Sequence, residues 1–92
     1  MLQRPQASKV FLVQGENGFH LRPISMIVEL ATKFDSDIKI RKDDVSVGAK
    51  SVMELLLLGA QRGDHLEVTA VGADCAEALH AIEQLFSQLA NE

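Results

Sequence analysis

Along the chain, apolar residues recur at every second position in some stretches and at every third or fourth in others. Val10, Phe11, Leu12 and Val13 form a β-branched and aromatic run within Lys9 to Gln14, which predicts a first strand closed by a turn at Gly15-Glu16-Asn17-Gly18. From Leu21 to about Phe34, the residues Ile24, Ile27, Val28, Ala31 and Phe34 keep helical spacing while Ser25, Glu29, Thr32 and Lys33 fill the other side. Met26 and Leu30 widen that stripe and read as core packing. After the break at Asp35-Ser36-Asp37, Ile38 and Ile40 alternate with Lys39 and Arg41, and Val45 and Val47 flank Ser46. Two half-buried strands joined at Lys42-Asp43-Asp44 are expected.

A short helix follows from Ser51, with Val52, Leu55 and Leu58 on one stripe, and it ends in the turn Gly59 to Gly63. Leu66, Val68 and Ala70 then alternate with Glu67 and Thr69 as a fourth strand. Asp74-Cys75-Ala76-Glu77 has the form of a capping box and opens a last helix whose Cys75, Ala78, Leu79, Ile82, Leu85, Phe86 and Leu89 trace one face. The order strand, helix, strand, strand, helix, strand, helix argues for an α+β open-faced sandwich, helices on one side of the sheet and solvent on the other.

At 92 residues this is a single domain, taken as 8–92, behind a polar lead-in over 1–7 to which no function is assigned. Cys75 is the only cysteine, so no intrachain disulfide can form; it reads as a small buried hydrophobe, and the cytoplasm is the expected compartment. No run approaches a membrane span, and the first residues lack a signal-peptide core. A net charge of −4 disfavours nucleic acid as a partner. No internal repeat, metal-ligand spacing or phosphate-loop lysine motif is present, so neither a cofactor nor an NTPase activity is expected. A protein-docking role stays open.

The chemistry concentrates in Gly18-Phe19-His20-Leu21-Arg22-Pro23-Ile24-Ser25. Gly18 permits a turn, and Pro23 falls in a first helical turn, where its missing N–H leaves no gap. That places the helix start at about Leu21. His20 therefore lies beside amides with no intrahelical partner and the positive end of the helix dipole, and is expected to present an uncharged, nucleophilic ring. A phosphoryl group carried there would be met by those amides and by Arg22. A histidine near a helix start is also commonly a surface cap. His65, among polar neighbours, reads as solvated, and His80 lies off the apolar stripe of its helix.

Gly18-Phe19-His20-Leu21-Arg22-Pro23 resembles the Gly-Leu-His-Ala-Arg-Pro signature of HPr, the histidine phosphocarrier family of the bacterial sugar phosphotransferase system. Ala49-Lys50-Ser51-Val52-Met53, continuing to Leu58-Gly59, resembles that family's second signature at the expected distance, and the likeness runs from about Ser8 to the end. The resemblance implies an antiparallel sheet in order 1-4-2-3 with three helices on one face. It also implies a carrier rather than an enzyme, receiving a phosphoryl group from enzyme I on the δ nitrogen of His20 and passing it to enzyme IIA domains. Arg22 would be the counter-charge, with Asn17, Gly18, Leu21 and Pro23 shaping the loop. Phe19, Ser25, Val52, Met53 and Leu56 would belong to the docking surface of a monomer.

Ser51 has two readings. Ser51-Val52-Met53-Glu54 is a capping box, which explains the serine fully; the resemblance makes the same serine a regulatory phosphorylation site for an HPr kinase/phosphorylase. Glu54 would repel a dianion there. A short helix on a sheet cannot bury Val52, Met53, Leu56 and Leu57 together, so part of that set should form an exposed apolar patch. Leu21 stands where relatives carry a small residue or threonine and would narrow access to His20. Glu29 and Glu54 place acid where several relatives carry lysine, suggesting a divergent partner set. A nitrogen-type phosphotransferase carrier and a regulatory binding module acting on a kinase or transcription factor are the alternatives.

Overall fold

The computed structural model describes residues 4–91. Its elements are β1 (Gln6–Leu12), α1 (Leu21–Ala31), β2 (Asp37–Lys42), β3 (Val45–Gly48), α2 (Val52–Leu58), β4 (His65–Val71) and α3 (Cys75–Ala90). The strands form one sheet in the order β1-β4-β2-β3, with every neighbouring pair antiparallel. β1 and β2 therefore run parallel to each other with β4 inserted between them, and α1 makes the connection. α3 packs on β1 and β4, α2 packs on β3, and α1 contacts both other helices.

Alternation sorts the two faces of the sheet. Phe11, Ile38, Ile40, Val47, Leu66, Val68 and Ala70 are buried under the helices. On the open face the register sets Ser8 opposite Thr69 and Arg41 opposite Glu67. Both pairs are used: the Ser8 and Thr69 hydroxyls share a hydrogen bond at 2.5 Å, and the Arg41 guanidinium binds the Glu67 carboxylate at 3.0 Å. From the helices come Ile24, Ile27 and Ala31, then Leu55 and Leu58, then Cys75, Ala78, Ile82 and Leu85. The seven residues of α2 are too few to be stable alone. Burying Leu55 and Leu58, at roughly 1.5–3 kcal/mol each, holds that helix in place. Phe86 of α3 stacks on Phe11 with ring centroids 4.8 Å apart.

Several boundaries differ from the sequence reading. β1 begins at Gln6, because Gln6 and Ala7 pair with Val71 and Ala70 of β4, so the expected lead-in ends sooner; residues 1–3 lie outside the described residues. β1 also ends at Leu12 rather than Gln14, although Val13 stays buried and bonds to the 63–64 backbone. α1 stops at Ala31, and Phe34 closes a turn onto the Ala31 carbonyl. Val45, expected to be half-buried, is exposed at the start of its edge strand.

The capping box at Asp74 does not form. Its carboxylate instead accepts the Asp35 N–H at 2.8 Å, the Ser36 N–H at 2.9 Å and the Ser36 hydroxyl at 2.5 Å, tying the α1–β2 loop to the start of α3. Three donors outweigh the single amide a cap would offer. Ser36 is wholly buried there, and a Cβ on Gly72 would come within 2.8 Å of its Cα. The same principle of close backbone approach governs the other end of the molecule. Gly18, at φ 61, lies against the turn between α2 and β4, where a Cβ would meet the Ala60 carbonyl oxygen at 2.8 Å and the Gln61 Cα at 2.9 Å.

Two outcomes are expected. The hydrogen bonds from Ser36 and Asp35 hold the Asp74 carboxyl below its ordinary value of 3.8. The unfolded chain then binds the extra proton first as pH falls, so this contribution is complete above about pH 4 and is lost as pH drops through the folded value. Asp74→Asn should lower the thermal midpoint at pH 7 and flatten the acid limb of stability against pH, measured by circular dichroism; an unchanged acid limb would remove Asp74 from it. Gly18→Ala meets both a left-handed backbone and occupied space, and should destabilise by about 1–3 kcal/mol or more in urea unfolding.

Candidate functional site

His20 is the residue at which the loop becomes helix. Its backbone is extended (φ −93°, ψ −176°), it occupies the N-cap position of α1, and its Nδ1 accepts the Arg22 backbone N–H at 3.4 Å. An accepting Nδ1 carries its lone pair toward the helix, which places the ring proton on Nε2. Among the described residues nothing accepts from the Leu21 N–H, Pro23 has no N–H, and the Ile24 N–H is the first to reach a helical acceptor, the His20 carbonyl at 3.2 Å. The helix start thus offers the amide of Leu21, while that of Arg22 is turned to His20 Nδ1. α1 has no acidic residue in its first turn, whereas α2 has Glu54 and α3 has Glu77. Its positive end is left without a carboxylate of its own.

The ring is exposed and lines a cleft of about 290 Å³ shared by Asn17, Gly18, Phe19, Arg22 and Pro23 with Phe86 and Leu89 from the end of α3. Leu21 is 60% exposed and leaves His20 open to solvent, so the expected narrowing does not wall off the ring. Asn17 lines the cleft, yet its side chain has no hydrogen-bond partner among the described residues. The loop is ordered by backbone instead: the Gly18 N–H binds the Gly15 carbonyl at 3.0 Å and the Phe19 N–H binds the Ala60 carbonyl at 3.0 Å.

No periodic or motif signal marks the turn holding that carbonyl. It is stitched to the strand end by the Val13 N–H on the Asp64 carbonyl at 2.9 Å and the Gly63 N–H on the Val13 carbonyl at 2.8 Å. Asp64 Oδ2 accepts the Gln61 N–H at 2.8 Å and lies 3.2 Å from Lys42 Nζ, which also donates to the Gly59 carbonyl at 3.1 Å. The Gln61 amide and then Lys42 hold the Asp64 carboxyl below its ordinary value. A lone lysine at a strand end and an aspartate after a glycine carry no periodic signal, and Phe86 and Leu89 read as core.

Of the expected docking residues, Met53 (72% exposed) and Leu56 (46%) lie open on α2, as does Ser25 on α1. Leu57 is more exposed still, at 77%. Val52 and Phe19 are partly buried, and the Phe19 ring sits 6.0 Å from that of Phe86. Ser51 caps α2 through its hydroxyl, which accepts the Glu54 N–H at 3.2 Å. The reciprocal half of that box is absent, because the Glu54 carboxylate reaches past Ser51 to the Gly48 N–H at 2.9 Å. His65 and His80 are exposed, and Cys75 is buried. No cluster of three or more metal-ligating side chains occurs among the described residues, and no helix there is long and apolar enough to cross a membrane.

The family model described as "PTS HPr component phosphorylation site" matches residues 7–88. The phosphocarrier protein HPr of Treponema pallidum is 41% identical over 78 residues, spanning 85% of this chain and 89% of that protein. Among solved structures, HPr-C-His from Thermoanaerobacter tengcongensis superposes with a TM-score of 0.89 at 32% identity, covering 94% of this chain and 97% of that one. HPr from Bacillus anthracis gives 0.82 at 35% identity, covering 87% and 95%. Four antiparallel strands in order 1-4-2-3 under three helices, a histidine at the first helix start and these matches have one common explanation: the chain belongs to the HPr family, the phosphocarriers of the phosphotransferase system.

Proposed function

We propose that His20 is the phosphoacceptor, and that the chain receives its phosphoryl group from enzyme I and delivers it to sugar-specific enzyme IIA domains in the cytoplasm, acting as a monomer. The observation that carries this reading is the exposed His20 at the start of α1, its Nδ1 facing the Arg22 amide. Its lone pair attacks phosphorus as the bond from phosphorus to the donor breaks; the proton on Nε2 stays in place. The Nδ1–P bond then breaks as an acceptor on the next protein attacks in turn. Leu21 and Arg22 amides donate to the phosphoryl oxygens, and the Arg22 guanidinium, lining the same cleft, supplies counter-charge. Gly18 and Pro23 fix where the loop ends and the helix begins; Asn17 sits at its rim.

Docking uses the apolar surface of Met53, Leu56 and the accessible edges of Val52 and Phe19, with Ser25 beside it. Ser51 is the regulatory position of that surface, a substrate for an HPr kinase/phosphorylase. A phosphate on its Oγ would give up the bond from the Glu54 N–H and stand one turn from the Glu54 carboxylate. The exposed acids Glu29 and Glu54 favour a second reading, a carrier of the nitrogen-type phosphotransferase chain whose enzyme I presents a less acidic face.

With phosphoenolpyruvate and each enzyme I in turn, the wild type should gain acid-labile phosphate and His20→Ala should gain none. Equal labelling of the variant would move the site to His65 or His80, and labelling by only the nitrogen-type enzyme I would select the second reading. Ser51→Asp should weaken enzyme I binding by about tenfold, or about 1.4 kcal/mol, in a titration; superimposable curves would separate Ser51 from the docking surface.

A further inference from the structure

The loop that carries His20 rests on the turn between α2 and β4, whose main-chain bonds to Val13 hold its far end, at Gly63 and Asp64, and not its start. It lies outside the strands, and Gly59 and Gly63 both take positive φ, at 61° and 93°. Such a segment has many backbone conformations available unless something selects one. Yet the Ala60 carbonyl in it receives the Phe19 N–H, one residue before His20, and its backbone is the floor under Gly18. Any displacement of Ala60 is passed to the ring.

Two side chains add to those main-chain bonds and tie the start of the turn to its end. Lys42, the last residue of β2, crosses to the turn and binds it at both ends, with Nζ 3.1 Å from the Gly59 carbonyl and 3.2 Å from Asp64 Oδ2. Asp64 in turn reaches into the turn's middle through the Gln61 N–H at 2.8 Å. Neither side chain is fully solvated: Lys42 is 25% and Asp64 30% exposed, so solvent screens the pair less than it would an open surface contact. β2 is an interior strand paired on both sides, which makes it a firm anchor.

We infer that Lys42 and Asp64 are positioning residues for phosphoryl transfer, fixing the Ala60 carbonyl and through it the place of His20 Nδ1 against the Leu21 and Arg22 amides. Neither touches the phosphoryl group. The inference rests on His20 being the acceptor. The same clamp closes on Gly59, the C-cap of α2, so the helix bearing Met53 and Leu56 and the loop bearing His20 share one support. A partner docked on that helix therefore meets the histidine at a set distance.

The test uses the full chain, with phosphoramidate as a small phosphoryl donor that needs no docking surface. Lys42→Met keeps the stem and removes the charge, Lys42→Arg restores it, Asp64→Asn leaves one acceptor for Gln61, and Arg41→Met breaks the ion pair on the open face of the same strand as a control. Lys42→Met is expected to slow phosphorylation of His20 on the order of tenfold, with Asp64→Asn in the same direction and Lys42→Arg largely recovering the rate. In 15N-edited NMR spectra the Phe19, His20 and Leu21 amides should shift in Lys42→Met and stay in place in Arg41→Met. A wild-type rate in Lys42→Met, with or without shifted resonances, would overturn the inference, and so would an equal loss in Arg41→Met. A wild type that takes no label at His20 would overturn the acceptor assignment instead, which the amide shifts do not depend on.

Discussion

The backbone of Gly18 lying on the backbone of Ala60 to Arg62 is the constraint on which the site depends. Packed side chains can yield by changing rotamer, but two main chains in contact cannot, and here a single added carbon would sit 2.8 Å from a carbonyl oxygen. The hydrogen bond from the Phe19 N–H to that carbonyl fixes direction as well as distance. From there the chain has only to enter α1, and Pro23 in the first turn leaves few ways to do so. The place of His20 is thus decided by main chain on both sides and by the core under Ile24 and Ile27.

What could be read from the sequence, and what could not, divides along local and non-local lines. α1, α3, β2 and β4 were legible because each carries its own period, and the helix start at Leu21 was legible because glycine, histidine and proline stand within six residues of one another. The exposure of Met53, Leu56 and Leu57 followed from the limited face a seven-residue helix can bury. The start of β1 is not legible, since Gln6 and Ala7 have no apolar alternation; they are strand because β4 offers them partners. The 59–64 turn showed only its glycines. Its Ala60 carbonyl and its Asp64 carboxylate matter through contacts with Phe19 and Lys42, far away in the chain, which no local pattern records.

Asp74 and Glu54 show the same limit in chemical form. Each stands where a helix-capping rule gives it a job, and each takes a different one: Asp74 gathers the Asp35 and Ser36 donors, and Glu54 binds the Gly48 amide. A capping rule states which donors lie nearby in sequence. The fold brings others within reach: three donors converge on Asp74, and Glu54 takes the one that the end of β3 presents. In both cases the result ties a helix start to the end of a neighbouring segment, so charge spent away from the cap stiffens the joints between elements.

A carrier must let go of what it accepts, and this explains the site's spareness. An enclosed pocket with several fixed donors would bind a phosphoryl group so well that the next transfer would start from a deep well. His20 has the opposite setting: it is exposed, and the hydrogen bond its ring accepts from the helix is long at 3.4 Å. α1 is also the helix start without an acid in its own first turn, so an arriving anion meets no carboxylate there. On the proposed reading the remaining stabilisation comes from whichever protein is docked, with the apolar surface beside the shallow site serving donor and acceptor in turn. With His20 as the proposed acceptor, accuracy rests on holding the ring still rather than on surrounding it, and the Gly18 contact with the turn beneath it is what fixes the loop next to that ring.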